Sequence, residues 1–148
     1  MDSSNIPSEA IALNCAVVAG IIADFLGDEE IVSTVSGRMG SGVFDFSINN
    51  LGNDSSYTVT VNNSQIEIDA AYEGIRSLAL FEAKRDLSDD FLVRQLYYPY
   101  RVWKNRVTKP VRPLFWCILT EFTIFTNISL QIQAIIVLLS LSSSVTIP

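Results

Sequence analysis

Residues 77–101 read "SLALFEAKRDLSDDFLVRQLYYPYR". An apolar run ends in Glu82-Ala83-Lys84, passes through an acidic turn, and opens into a helix-like segment carrying a Gln and several Tyr. In a strand, side chains two apart share a face, so Glu82 and Lys84 project together while Ala83 points away. A buried strand that ends in a carboxylate and an ammonium on one face is a candidate for chemistry. Another strand must then bring a partner to the same spot.

The preceding apolar segment, "QIEIDAA" (65–71), supplies one. If it pairs with 77–84 as a hairpin, direct pairing of Asp69 with Glu82 requires a turn centred between Ile75 and Arg76. Registers shifted by two residues still leave both carboxylates on one face. Neighbouring strands lie about 4.8 Å apart, close enough for two carboxylates to grip one divalent cation. Glu67 shares the face of Asp69 as an extra ligand. Mg2+ takes one or two carboxylates plus waters and phosphate oxygens. Such an ion polarises a phosphodiester and acidifies water without any histidine. A lysine beside it orients that water or offsets charge building on phosphorus. Asp69, Glu82 and Lys84 together therefore point to phosphodiester hydrolysis. An E-x-K triplet recurs by chance in roughly one chain in two of this size, so the combination carries the assignment.

The composition narrows the alternatives. The 148 residues suit one hydrophobic core, and 49% apolar against 18% charged is globular. There is no histidine, which excludes Ser-His-Asp and Cys-His catalysis and HExxH zinc hydrolysis. Cys15 and Cys117 stand far apart, which excludes a zinc knuckle and fits a reducing cytosol. The formal charge of −6 hides an asymmetry. Residues 1–83 carry 2 basic and 12 acidic side chains, whereas 84–112 carry 8 basic against 3 acidic. That second segment has the footprint of a polyanion-binding face. Arg94, Arg101, Lys104 and Arg106, with Lys109 and Arg112, are its phosphate-contact candidates. Tyr97, Tyr98, Tyr100 and Trp103 are expected to serve the core before they stack on bases.

Along the chain, the spacing predicts a helix over 6–26, with Pro7 in its first turn and Gly27 at its end. Strands follow at 31–36, 42–49, 56–62, 65–71 and 77–84, with "SGRMGSG", "NNLGNDSS" and "NNS" as turns. Ser88 is placed to cap a second helix, with Pro99 expected to kink it. "KPVRPLFWCIL" then returns to strand character. The order predicts a mixed α/β sandwich around one sheet. Residues 1–121 form the expected domain, and 122–148 an uncharged apolar tail. The N-terminus lacks a secretory leader's cationic start, and a cytoplasmic location is expected.

"IEIDAAYEG", "LALFEAK" and "DDFLVRQLYYPYRVW" together resemble the PD-(D/E)XK nuclease superfamily, in particular its type II restriction endonuclease-like members, over residues 8–115. The resemblance implies an α/β (α+β) fold with a restriction-endonuclease-like αβββαβ core, a mixed central sheet flanked by helices. It maps the metal-binding acid onto Asp69, the second acid onto Glu82 and the catalytic lysine onto Lys84. It adds the Ala83 backbone carbonyl as a metal ligand, and Gln95 is similar to the helix Gln that supports the site in some branches. The implied cofactor is Mg2+, with Mn2+ as the alternative, and the implied substrate is double-stranded DNA. Cutting both strands favours a homodimer or a partner subunit. The pattern departs from the superfamily in two places. Pro99 stands where the RecB-like branch has a Tyr, flanked by Tyr98 and Tyr100, and Ile68 precedes Asp69 in place of a Pro. The rival readings are a truncated or decayed nuclease fold that binds nucleic acid or a protein without turnover, and a membrane protein anchored by residues 128–147.

Overall fold

The computed structural model describes residues 8–50, 55–84, 92–119, 133–138 and 145–147. Ser8 opens α1 (Glu9–Val18), its hydroxyl oxygen accepting the Ile11 N–H at 3.3 Å. The single helix expected over 6–26 is two, because Gly20 turns the chain at φ 76° before α2 (Ile21–Leu26) begins. A left-handed residue interrupts the hydrogen-bond ladder, and only glycine adopts it without strain.

The strands in chain order are β1 (Ile31–Ser33), β2 (Gly37–Gly40), β3 (Val43–Asn50), β4 (Ser56–Asn62), β5 (Gln65–Ile68), β6 (Ala70–Gly74), β7 (Leu78–Lys84), β8 (Val111–Leu119), β9 (Gln133–Leu138) and β10 (Val145–Ile147). Helix α3 (Arg94–Lys104) connects β7 to β8. Among the described residues these strands form three sheets, where the sequence predicts one. The central sheet has the order β1-β6-β7-β8-β9, antiparallel except for the parallel pair β7–β8 that α3 bridges. The fold is thus a mixed α/β structure on a mixed sheet. A second sheet joins β10, β3 and β4, and a two-stranded ribbon joins β2 and β5.

Two local differences from the expected strands shape the site. "SGRMGSG", expected as a turn, contains β2, whose Arg38 and Met39 lie opposite Glu67 and Ile66 of β5. The expected strand 65–71 breaks at Asp69, so β5 leaves for the ribbon while β6 enters the central sheet. Ser88, Asp89 and Asp90, the expected start of the second helix, lie outside the described residues, and α3 runs through Pro99 from Arg94 onward. In the apolar tail, β9 extends the central sheet beyond β8, and β10 lies parallel to β3. No helix among the described residues is long and apolar enough to cross a membrane.

The alternation of β7 divides the core. Ala79, Phe81 and Ala83 join Leu13, Ile22 and Leu26 of the first two helices on one face. Leu78 and Leu80 pack on the other, with Ile68, Ala71 and Trp103 of α3. Glu82 and Lys84 continue this second row.

Candidate active site

The register of β6 with β7 sets the site. Ala70 faces Phe81 and Glu73 faces Leu78, which centres the turn between Ile75 and Arg76. Carried one step further, the same register puts Asp69 beside Glu82. The Asp69 N–H donates to the Phe81 carbonyl at 3.2 Å. Its carboxylate reaches across to β7, where Oδ2 accepts the Ala83 N–H at 2.7 Å. The Ala83 methyl group is buried on the α1 side.

Glu82 is the most enclosed member, its side chain only 6% exposed. Its Oε1 accepts from Lys84 Nζ at 2.5 Å and from Gln95 Nε2 at 2.7 Å. The Gln95 carbonyl oxygen accepts the Leu92 N–H at 3.2 Å, just ahead of α3. That bond fixes which way the amide faces, since only its NH2 can serve a carboxylate. A flipped amide would lose the Leu92 bond and set two acceptors against each other.

Burial pushes the Glu82 carboxyl upward from its ordinary value; the Lys84 bond pulls it back, and the charge of Asp69 adds to the rise. Burial likewise raises Asp69, against the Ala83 N–H bond and the Lys84 charge, with Glu67 adding to the rise. For Lys84, burial acts downward but is outweighed by the Glu82 bond and the Glu82 and Asp69 charges, so its pKa is raised. Two carboxylates disfavoured by burial therefore share one ammonium that stays protonated at neutral pH.

All four of these side chains line one open cavity of about 610 Å³, together with Glu67 and Arg94. The β5 end, the end of β7 and the first half of α3, including Tyr98 and Pro99, make its walls. Asp69 and Glu82 are the two acids bonded into this floor. Among the described residues, no group of three or more His, Cys, Asp or Glu is placed to hold a metal. Glu67 instead pairs with Arg38, whose Nε donates to Oε2 at 3.2 Å.

Most other basic candidates are engaged on the protein itself. Arg101 Nη2 donates to the Asp45 carbonyl of β3 at 3.1 Å, with its guanidinium 5.6 Å from the Phe44 ring centre. Lys104 lies over Tyr100 and Arg106 over Trp103. Lys109 bonds Glu73 and the Gly74 carbonyl, and Arg112 the Leu26 carbonyl. Of the aromatics on α3, Tyr97 packs on Phe46 at 5.0 Å and Tyr98 on Phe44 at 5.6 Å, which docks the β3–β4 hairpin on the helix. Arg38 was legible only as part of a loop, and its cross-strand place is opposite Glu67, which lines the cavity.

The fold and cavity define a class: a mixed α/β protein with a carboxylate–lysine–glutamine cluster at one end of its central hairpin. Residues 1–133 match a family profile described as a domain of unknown function, DUF6997, and the chain belongs to that family. No curated protein and no solved structure matches the chain.

Proposed function

We propose that the protein is a metal-dependent nuclease of restriction-endonuclease-like type, acting on DNA in the cytoplasm. The observation that carries this reading is the convergence of Asp69 from the β5–β6 junction, Glu82 and Lys84 from β7, and Gln95 from α3 on one cavity. The order α1, β1, β6, β7, α3, β8, with three antiparallel strands and then a parallel one, supports an αβββαβ core. In that reading β2 to β5 are an insertion between its first and second strands.

The donor set fits a hard divalent cation. Two carboxylates raised by burial and by neighbouring carboxylates would be relieved by a bound positive charge. Mg2+ needs only one or two protein carboxylates and keeps several waters, so two acids suffice. Asp69 and Glu82 would hold it, with the Ala83 carbonyl as the third protein ligand that the resemblance implies. When bound, Mg2+ or Mn2+ would polarise the phosphodiester and lower the pKa of water. The chain's own residues do the rest. Gln95, held by Leu92, keeps Glu82 in place as an acceptor. Lys84, with its raised pKa, remains an ammonium and serves charge developing on phosphorus rather than removing a proton.

Plasmid cleavage with Mg2+ and with EDTA, by wild type and Lys84→Ala, tests the proposal. Mg2+-dependent nicking that the substitution reduces at least about 100-fold is expected, the size of losing one transition-state donor. Equal cleavage by the variant would refute the role of Lys84. A second reading, a nucleic-acid-binding module without turnover, is favoured by the direct ion pair between Lys84 and Glu82, which already neutralises one of the two acids. Salt-sensitive DNA binding with no cleavage in Mg2+ would select it.

A further inference from the structure

Most of the cations clustered in residues 84–112 are held by the protein's own carbonyls, carboxylates and rings. Two arginines differ, Arg94 in the cavity lining and Arg38 paired with the lining residue Glu67. Arg94 lines the cavity from α3, is exposed, and makes no hydrogen bond or ion pair among the described residues. Arg38 stands on β2 directly opposite Glu67, which lines the cavity from β5. The Arg38–Glu67 pair is made through Nε alone and its side chain is 67% exposed. A guanidinium presents five donors in a fork, so this one retains donors for a further anion.

Arg38 belongs to the β2–β5 ribbon, whose Glu67 lines the cavity, and Arg94 lines it from α3, while Asp69, Glu82 and Lys84 line the same cavity. From this placement we infer that Arg38 and Arg94 form a two-sided phosphate clamp. It seats one polynucleotide strand across the cavity, with a flanking phosphate on each side of the diester at Lys84. The inference rests on the proposed nuclease reading and deepens it by naming the substrate class. The substrate is an oligonucleotide segment with at least three consecutive phosphates, not a dinucleotide or free phosphate. The cavity volume of about 610 Å³ is within the range of about 300–1,000 Å³ usual for ligand sites, room for a segment of strand. Arginine suits the task because its planar fork matches phosphate oxygens and stays charged.

The test uses the full chain as Asp69→Asn, so that binding is measured apart from cleavage. A fluorescent oligonucleotide is titrated at several salt concentrations, beside a dinucleotide and inorganic phosphate as competitors. Arg38→Ala and Arg94→Ala should each weaken oligonucleotide binding about fivefold, the upper end for an exposed ion pair. Each should also reduce the salt slope by about 1. Neither competitor should displace the strand at matched concentration. Unchanged affinity and slope in both variants would overturn the clamp, and so would absence of oligonucleotide binding. An equal loss in Arg106→Ala, whose guanidinium lies over Trp103 away from the cavity lining, would make binding a matter of net charge and also overturn it. Competition by the dinucleotide or by phosphate as strong as by the oligonucleotide would reduce the site to a single-anion pocket and overturn the clamp as well. If the strand binds as expected while the wild type cuts nothing in Mg2+, the nuclease reading falls and the clamp stands.

Discussion

The β6–β7 ladder carries charged groups at both of its ends, and the two ends treat them differently. At the turn end, Asp28 is buried, its Oδ1 accepts the Arg76 N–H at 3.3 Å, and Lys109 ties Glu73 to the Gly74 carbonyl. Asp28 lies so close over β6 that a Cβ on Gly74 would collide with its carboxylate. At the open end, Asp69, Glu82 and Lys84 are bonded as tightly but face a cavity, and their protonation is displaced by burial. At the turn end packing closes over Asp28, while the Glu73–Lys109 pair is a half-exposed surface tie. At the open end Glu82 is as buried as Asp28 yet lines a cavity beside α3, and there the same residue types become candidates for chemistry.

That contrast can be broken by substitutions at either end. The largest effect is expected at the open end. Asp69→Asn should lower cleavage by at least about 100-fold, the scale of losing an electrostatic contact used in the transition state, with no loss of thermal stability. A parallel fall in melting temperature would mean that Asp69 ties the fold as well. At the turn end, Gly74→Ala should destabilise the fold by about 1–3 kcal/mol through overpacking, or roughly 2–4 °C of melting temperature per kcal/mol. Asp28→Ala should recover part of that loss in the double variant, because the two sites are in contact. Strict additivity would show that the Asp28 carboxylate is not what Gly74 accommodates.

Smaller effects sharpen the picture. Gln95→Leu should reduce activity about tenfold while leaving DNA binding intact, since it removes one of two donors to Glu82 and contacts no substrate. Loss of DNA binding in that variant would instead place Gln95 against the substrate. The smallest effect is in pH dependence. A carboxylate whose folded pKa is raised contributes stability at low pH, and this is lost as pH rises through the folded value. Metal-free wild type should therefore become less stable relative to Asp69→Asn as pH climbs from acid to neutral. A raised lysine shifts stability in the same sense but in a higher pH window. The contribution of Lys84 is fully present below about 10.4, the ordinary lysine value, and fades only as pH passes its raised folded pKa. Melting curves from pH 4 to 8 in EDTA would check the first trend, and a wild type that gains on the variant toward neutral pH would contradict it.

Much of the site was legible in the sequence because strand alternation is a strict rule. The pairing of Glu82 with Lys84 follows from period two, and the turn between Ile75 and Arg76 is the one that puts Asp69 beside Glu82. Gln95 was legible through resemblance, but not the Leu92 N–H that orients it, since backbone donors leave no trace in residue types. The division of 65–71 at Asp69 was hidden, because an alternating strand reads the same whether it stays in one sheet or passes to another. The glycines of "SGRMGSG" read as a turn, yet two of them, Gly37 and Gly42, take up the positive φ angles at either side and leave Arg38 and Met39 extended against β5. The basic segment was legible by count but not by arrangement, because a sequence does not reveal which cations also bond the protein's own carbonyls and rings.

Direct titration of Mn2+ into the metal-free protein is the measurement closest to the central claim, because it asks about the two acids without asking about DNA. Saturable binding of at least one equivalent is expected for wild type, lost in Asp69→Asn and in Glu82→Gln while both remain folded. Binding that survives both substitutions, or none in the wild type at millimolar Mn2+, would contradict the account.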